Sequence, residues 1–106
     1  MTHDHRTDRN TWEAKAHTWM NDHPGVMAVF EELAKRAVAR GRRFGIGLLT
    51  ERIRWEFRFE RDEGEQFKLN NNYRAYIARE LIRLHPTWEP FIEFREVANE
   101  RAAKGA

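Results

Sequence analysis

Cysteine is absent from this chain, and proline and glycine are sparse, with three prolines and six glycines in 106 residues. Without a thiol there is no disulfide, no thiolate metal site and no thiol nucleophile, which fits a reducing, cytoplasmic compartment. Pro24, Pro86 and Pro90 stand far apart or in one short bend, so no Pro/Gly/Ser linker marks a second domain, and no internal repeat or low-complexity tract is present. No apolar run approaches the ~18 residues that a membrane span needs, and MTHDHRTDRN at the start is not followed by the apolar segment of a signal peptide. No membrane partner is expected.

Catalytic patterns are equally scarce. His3, His5, His17, His23 and His85 include no pair at the i,i+4 spacing of a helical zinc site, so no metal is expected. The carboxylate pairs Glu31/Glu32 and Asp62/Glu63 fall in an exposed helix face and a turn. Gly45 and Gly47 in FGIGLLTER lack the further glycine and the Lys-Ser/Thr of a phosphate loop, and serve instead to turn the chain into a helix. The chain is therefore read as a non-enzyme with no cofactor.

What is present is a folding composition: 41% apolar residues with seven Phe and four Trp. The predicted fold class is mainly α, a single compact domain of four to five helices over residues 11–100, with a flexible leader at 1–10 and a frayed tail at 101–106. The first helix runs from Thr11 to about Asn21 with Trp12, Ala16, Trp19 and Met20 at helical spacing. The second, PGVMAVFEELAKRAVARG, has Pro24 in its first turn and Gly41 just past its end. It places Val26, Phe30, Leu33 and Ala37 on one face and pairs Glu31 with Lys35 and Glu32 with Arg36 on the other.

The third segment has two readings. As a helix it carries Ile46, Leu49, Ile53 and Phe57 on one stripe, with Leu48, Trp55 and Phe59 nearly opposite, and it loses regularity near Arg61. As strands, Ile53 to Glu60 alternates apolar and charged, and a β-hairpin over residues 53–69 is the alternative. The helix is preferred because the 3.6-residue pattern reaches back to Ile46. If no other helix covers Leu48, Trp55 and Phe59, they form an interface, and a homodimer covers them most simply; the competing expectation is that Trp12 and Trp19 cover them internally.

The fourth helix runs from Asn70, its N-cap, to about His85, where Pro86 ends it. Its expected core stripe is Tyr73, Ile77, Leu81 and Leu84. Opposite that stripe, Asn72, Tyr76, Arg79 and Arg83 project within about 60° of one another. Trp88, Phe91 and Phe94 follow, with a bend and a helix start at Pro86 and Pro90.

Charge is segregated although the net charge is only +2: Lys35, Arg36, Arg40, Arg42, Arg43, Arg52 and Arg54 meet a single acid, Glu51, over that stretch. Arg reads guanine and Asn reads adenine in a major groove, so the Asn72/Tyr76/Arg79/Arg83 face is a candidate reader. Lys35, Arg36, Arg40, Arg42 and Arg43 are the candidate phosphate contacts, in a helix-turn-helix-like arrangement. The partner expected from these residues is nucleic acid, specifically DNA. The alternative is an acidic host protein held by the basic face and the aromatic stripe.

The segments ERIRWEF, FKLNNNYRAYIARELIRLHP and WEPFIEFRE, within residues 25 to 97, resemble a group of small helical proteins of bacteriophages and prophages. The resemblance implies a setting, that of a small intracellular accessory or regulatory protein which binds DNA or blocks a host defence or regulatory protein. It carries no mechanism.

Overall fold

The computed structural model describes residues 4–60 and 68–94, with side chains from residue 12 onward. Four α-helices carry the fold: α1 (Asp4–Asp22), α2 (Pro24–Ala39), α3 (Ile46–Trp55) and α4 (Arg74–Leu84). A π-helical turn, Glu56–Glu60, prolongs α3, and a 3₁₀ turn, Asn71–Tyr73, leads into α4. A second 3₁₀ segment, Pro86–Phe91, feeds β2 (Ile92–Glu93), which pairs in parallel with β1 (Phe44–Gly45) in the register Phe44↔Ile92 and Gly45↔Glu93.

The mainly α reading of the sequence holds, and so do most element ends. Helix α1 is the exception, beginning at Asp4, inside the stretch expected to be a leader, rather than near Thr11. Pro24 occupies the start of α2, where its missing N–H costs nothing. The other end of α2 is a Schellman closure: Gly41 at φ 68° lets its own N–H donate to the Val38 carbonyl at 2.8 Å, and Arg42 N–H to Ala37 at 3.0 Å. Helix α3 then runs continuously into the π turn at Glu60, so residues 53–60 do not form the first strand of a hairpin. The hairpin's turn and most of its return arm, at residues 61–67, lie outside the described residues, as does the tail at 101–106. The helix start expected at Pro86 and Pro90 is met only by the short 3₁₀ segment Pro86–Phe91, after which the chain takes up β2.

Helix α4 is central. It packs against α1 and α3, with the 3₁₀ segment Pro86–Phe91 closing its end, while α2 packs on α1 and α3. Phe30, Ile53, Ile77 and Leu81 are the largest apolar side chains fully withdrawn from water in that core, joined by Ala16, Met20, Val26, Phe57 and Trp88. Thr50 is the one buried polar residue among those described, and its hydroxyl donates to the Ile46 carbonyl one turn back at 2.8 Å. The Ile46/Leu49/Ile53/Phe57 stripe read from the sequence is buried along its whole length.

Between α3 and α4 the chain is held by side chains. Arg54 donates from Nη2 to the Leu69 carbonyl at 2.8 Å and to Asn71 Oδ1, and from Nη1 to Glu51 at 2.6 Å. From the other side the Trp19 indole N–H donates to the Lys68 carbonyl at 3.2 Å. The start of α4 is thereby tied to α3 and α1 before its first turn begins. The connection from Glu60 to Asn71 is much longer than the ~3–4-residue turn of a helix-turn-helix.

Candidate interaction surface

The face drawn from the fourth helix does not form as a single exposed surface. Tyr76 is buried, Arg79 is half-buried, and only Asn72 and Arg83 stand exposed. The physical reason is the position of α4 between two helices. A helix with one covered side buries a single stripe, whereas α4 has neighbours on both sides and buries the consecutive residues Tyr76, Ile77 and Ala78 as well as Leu81. The expected core stripe is corrected by the same geometry: Ile77 and Leu81 are buried, Tyr73 is half-buried, and Leu84 is left exposed at the helix end.

The charges on α4 are also engaged locally. Arg83 forks onto Glu80, with Nε to Oε1 at 3.0 Å and Nη2 to Oε2 at 2.8 Å. That contact, together with the Coulomb attraction of Arg83 and of His17, holds the Glu80 carboxyl below its ordinary pKa despite its partial burial, and the hydrogen bond and charge of Glu80 in turn raise that of Arg83. Arg79 lies over the Tyr76 ring at 5.8 Å. A Cβ built on Gly47 would lie 3.4 Å from Arg74 Nη1, so the Arg74 guanidinium reaches the start of α3.

The asparagine run has distinct local duties. Asn70 caps the 3₁₀ turn, its Oδ1 accepting from the Asn72 N–H at 2.8 Å, and Asn71 is the side-chain acceptor for Arg54. The role of Asn71 is invisible in the sequence because its partner is seventeen residues away.

The basic group on α2 and after it is exposed at every member: Lys35, Arg36, Arg40, Arg42 and Arg43. Arg36 pairs with Glu32 at 3.2 Å and Arg43 with Glu93 at 3.0 Å. Lys35, Arg40 and Arg42 form no ion pair with another described residue. The expected Glu31–Lys35 pair is replaced by a longer-range contact in which His85 Nε2 meets Glu31 Oε2 at 2.5 Å, with the His85 ring stacked on Trp88 at 3.8 Å.

The remaining candidates share one surface. Leu48, Trp55 and Phe59 are 70%, 57% and 66% exposed and fall on one side of α3 and its π turn, opposite the buried stripe. Trp12 and Trp19 do not cover them; both rings pack on Tyr73 instead, at 6.3 and 6.0 Å. The Trp55 and Phe59 rings touch, with centroids 4.8 Å apart, and the Trp55 indole N–H is satisfied by Glu60 at 3.2 Å. Three side chains left this open present on the order of 400 Å² of apolar surface, the size at which a patch on a monomer is commonly functional. Arg52 lies along the same stripe, its guanidinium held by Glu56 at 3.3 Å and Glu60 at 3.6 Å. This charged flank was not singled out from the sequence, although Arg52 and Glu56 stand at i,i+4.

Among the described residues no group of three or more His, Asp or Glu is placed to hold a metal ion, and no helix is long and apolar enough to cross a membrane. No protein-family model, curated protein or solved structure matches the chain.

Proposed function

We propose that this chain is a protein-binding module whose contact surface is the Leu48/Trp55/Phe59 stripe of α3. One observation carries the reading: these large apolar side chains lie on one side of the helical segment and face water, Trp55 and Phe59 in ring contact, while the opposite stripe is fully used in the core. Apolar surface of this extent is costly to leave hydrated, and the charged rim of Arg52, Glu56 and Glu60 is the usual border of a protein interface. In the phage or mobile-element setting that the resemblance implies, such a module would exert a regulatory or inhibitory role through what it occupies. A photo-crosslinking amino acid placed at Phe59 in the producing cell tests this. A covalent protein adduct that disappears when Leu48→Glu is added is the expected result; no protein adduct at Phe59 would refute the reading.

A second reading has its own support in Lys35, Arg40 and Arg42, which are exposed with no ion pair among the described residues. These cations suit nucleic-acid phosphates, and binding through them loses affinity steeply as salt rises. Duplex DNA titrated at low and moderate salt is the measurement. Salt-sensitive binding that weakens when the three are changed together to alanine supports it, and the absence of such binding removes it.

A further inference from the structure

Resting on the nucleic-acid reading of Lys35, Arg40 and Arg42, we infer that the end of α2 holds the phosphate backbone of duplex DNA without reading its bases. From Lys35 to Arg43 every exposed side chain is a cation or the methyl of Ala39, while Ala37 and Val38 are half-buried. No acid and no large apolar side chain of this stretch reaches water. A protein partner is recognised around a desolvated apolar or aromatic centre with charge at its rim. Here the centre itself is cationic, with arginine at positions 36, 40, 42 and 43. Guanidinium groups without an apolar centre match phosphate oxygens, which offer charge and acceptors along the whole length of a duplex.

Stabilising the dipole of α2 does not account for the group. The last turn already holds Arg36, and Arg42 stands past the left-handed Gly41, outside the helix. The segment that carries these cations is also pinned. The N–H groups of Arg40, Gly41 and Arg42 donate to the Arg36, Ala37 and Val38 carbonyls at between 2.8 and 3.3 Å, so little backbone order has to be gained on binding.

Base reading finds no such support. The stretch contains no Asn or Gln for adenine and no Asp or Glu for cytosine. On α4, where Asn and Arg do occur, Tyr76 is buried and Arg83 commits Nε and Nη2 to Glu80. Arg36 and Arg43 are paired with Glu32 and Glu93, which leaves Lys35, Arg40 and Arg42 to neutralise phosphates. Three phosphate contacts correspond to a slope of about −2.7 in log affinity against log salt, so each doubling of salt weakens binding about sixfold.

Fluorescence anisotropy of the full chain reads this on two labelled duplexes of equal length, one of alternating A·T and one of alternating G·C pairs, from about 50 to about 200 mM salt. Affinities for the two within about fivefold of each other are expected, with a slope near −2.7 that falls by about one for each of Lys35→Ala, Arg40→Ala and Arg42→Ala at unchanged helical circular dichroism. A preference beyond about fivefold overturns base-independent binding and leaves the nucleic-acid reading standing. A slope that none of the three substitutions changes overturns the placement at the end of α2. Polyglutamate of matched total charge is the competitor that separates phosphate from carboxylate: failure to displace the duplex supports the phosphate assignment, and displacement at equal charge concentration overturns it. Binding that is absent at the lowest salt, or indifferent to salt, removes the inference and the nucleic-acid reading together.

Discussion

Arg54 shows how a residue drawn as part of a basic patch can instead be structural. Its guanidinium joins Glu51 on its own helix to the Leu69 carbonyl and the Asn71 side chain across the chain. Lysine cannot reproduce that fork. Arg54→Lys is expected to lower the unfolding free energy by about 2 kcal/mol, and Asn71→Ala by about 1 kcal/mol, both read by urea denaturation. Glu80 supplies a pH-dependent case. Its folded pKa is depressed, so its contribution is present above the ordinary carboxylate range and is lost as pH falls through the folded value. Glu80→Gln should therefore destabilise at pH near 7 and converge on the wild type only once the pH has fallen below the depressed folded pKa of Glu80. The raised pKa of Arg83 adds no transition in that window, since such a contribution is lost only on the alkaline side of an arginine's ordinary range.

At the scale of elements, α3 carries two stripes with opposite fates. Ile53 is fully buried and Phe59 is 66% exposed, although both are large and apolar in the same helical segment. Ile53→Ala should cost about 2–5 kcal/mol, whereas Phe59→Ala or Leu48→Ala should change stability by no more than about 0.5 kcal/mol. A comparably large loss at Phe59 would mean that the stripe is covered within the chain. The π turn at Glu56–Glu60 keeps Phe57 buried while Trp55 and Phe59 remain in ring contact outside. The end of α2 rests on a left-handed glycine, so Gly41→Ala should cost about 1 kcal/mol, measurable as a lower midpoint of thermal unfolding. Space is not the cause, since nothing lies within 4 Å of a Cβ built there.

For the whole molecule, the sandwiching of α4 between α1 and α3 determines which surfaces are left to meet a partner. It withdraws Tyr76 from the face proposed to read DNA, and it leaves the outer side of α3 without a neighbour among the described residues. A protein arranged in this way should associate through α3 with little dependence on salt, because its apolar centre is not screened. Contact through Lys35, Arg40 and Arg42 would weaken sharply between low and moderate salt. Measuring association of the chain with itself and with duplex DNA over the same salt series separates the two surfaces.

Local rules were enough for much of this architecture. The proline and glycine that bound α2, the Asn70 cap, the stop at Pro86 and the two stripes of α3 each depend on residues within a turn or two of one another, and they are legible in the chain itself. The fate of each face is not local. Tyr76 and Leu84 exchanged their expected environments, Glu31 turned from Lys35 to His85, and Asn71 acquired Arg54 as its partner. Amino-acid order by itself located α2, the buried stripe of α3 and the limits of α4, and showed which sides are apolar. Only the tertiary structure decided which apolar side is covered, because burial depends on how many neighbours a helix has and where they lie, and sequence periodicity carries no count of neighbours.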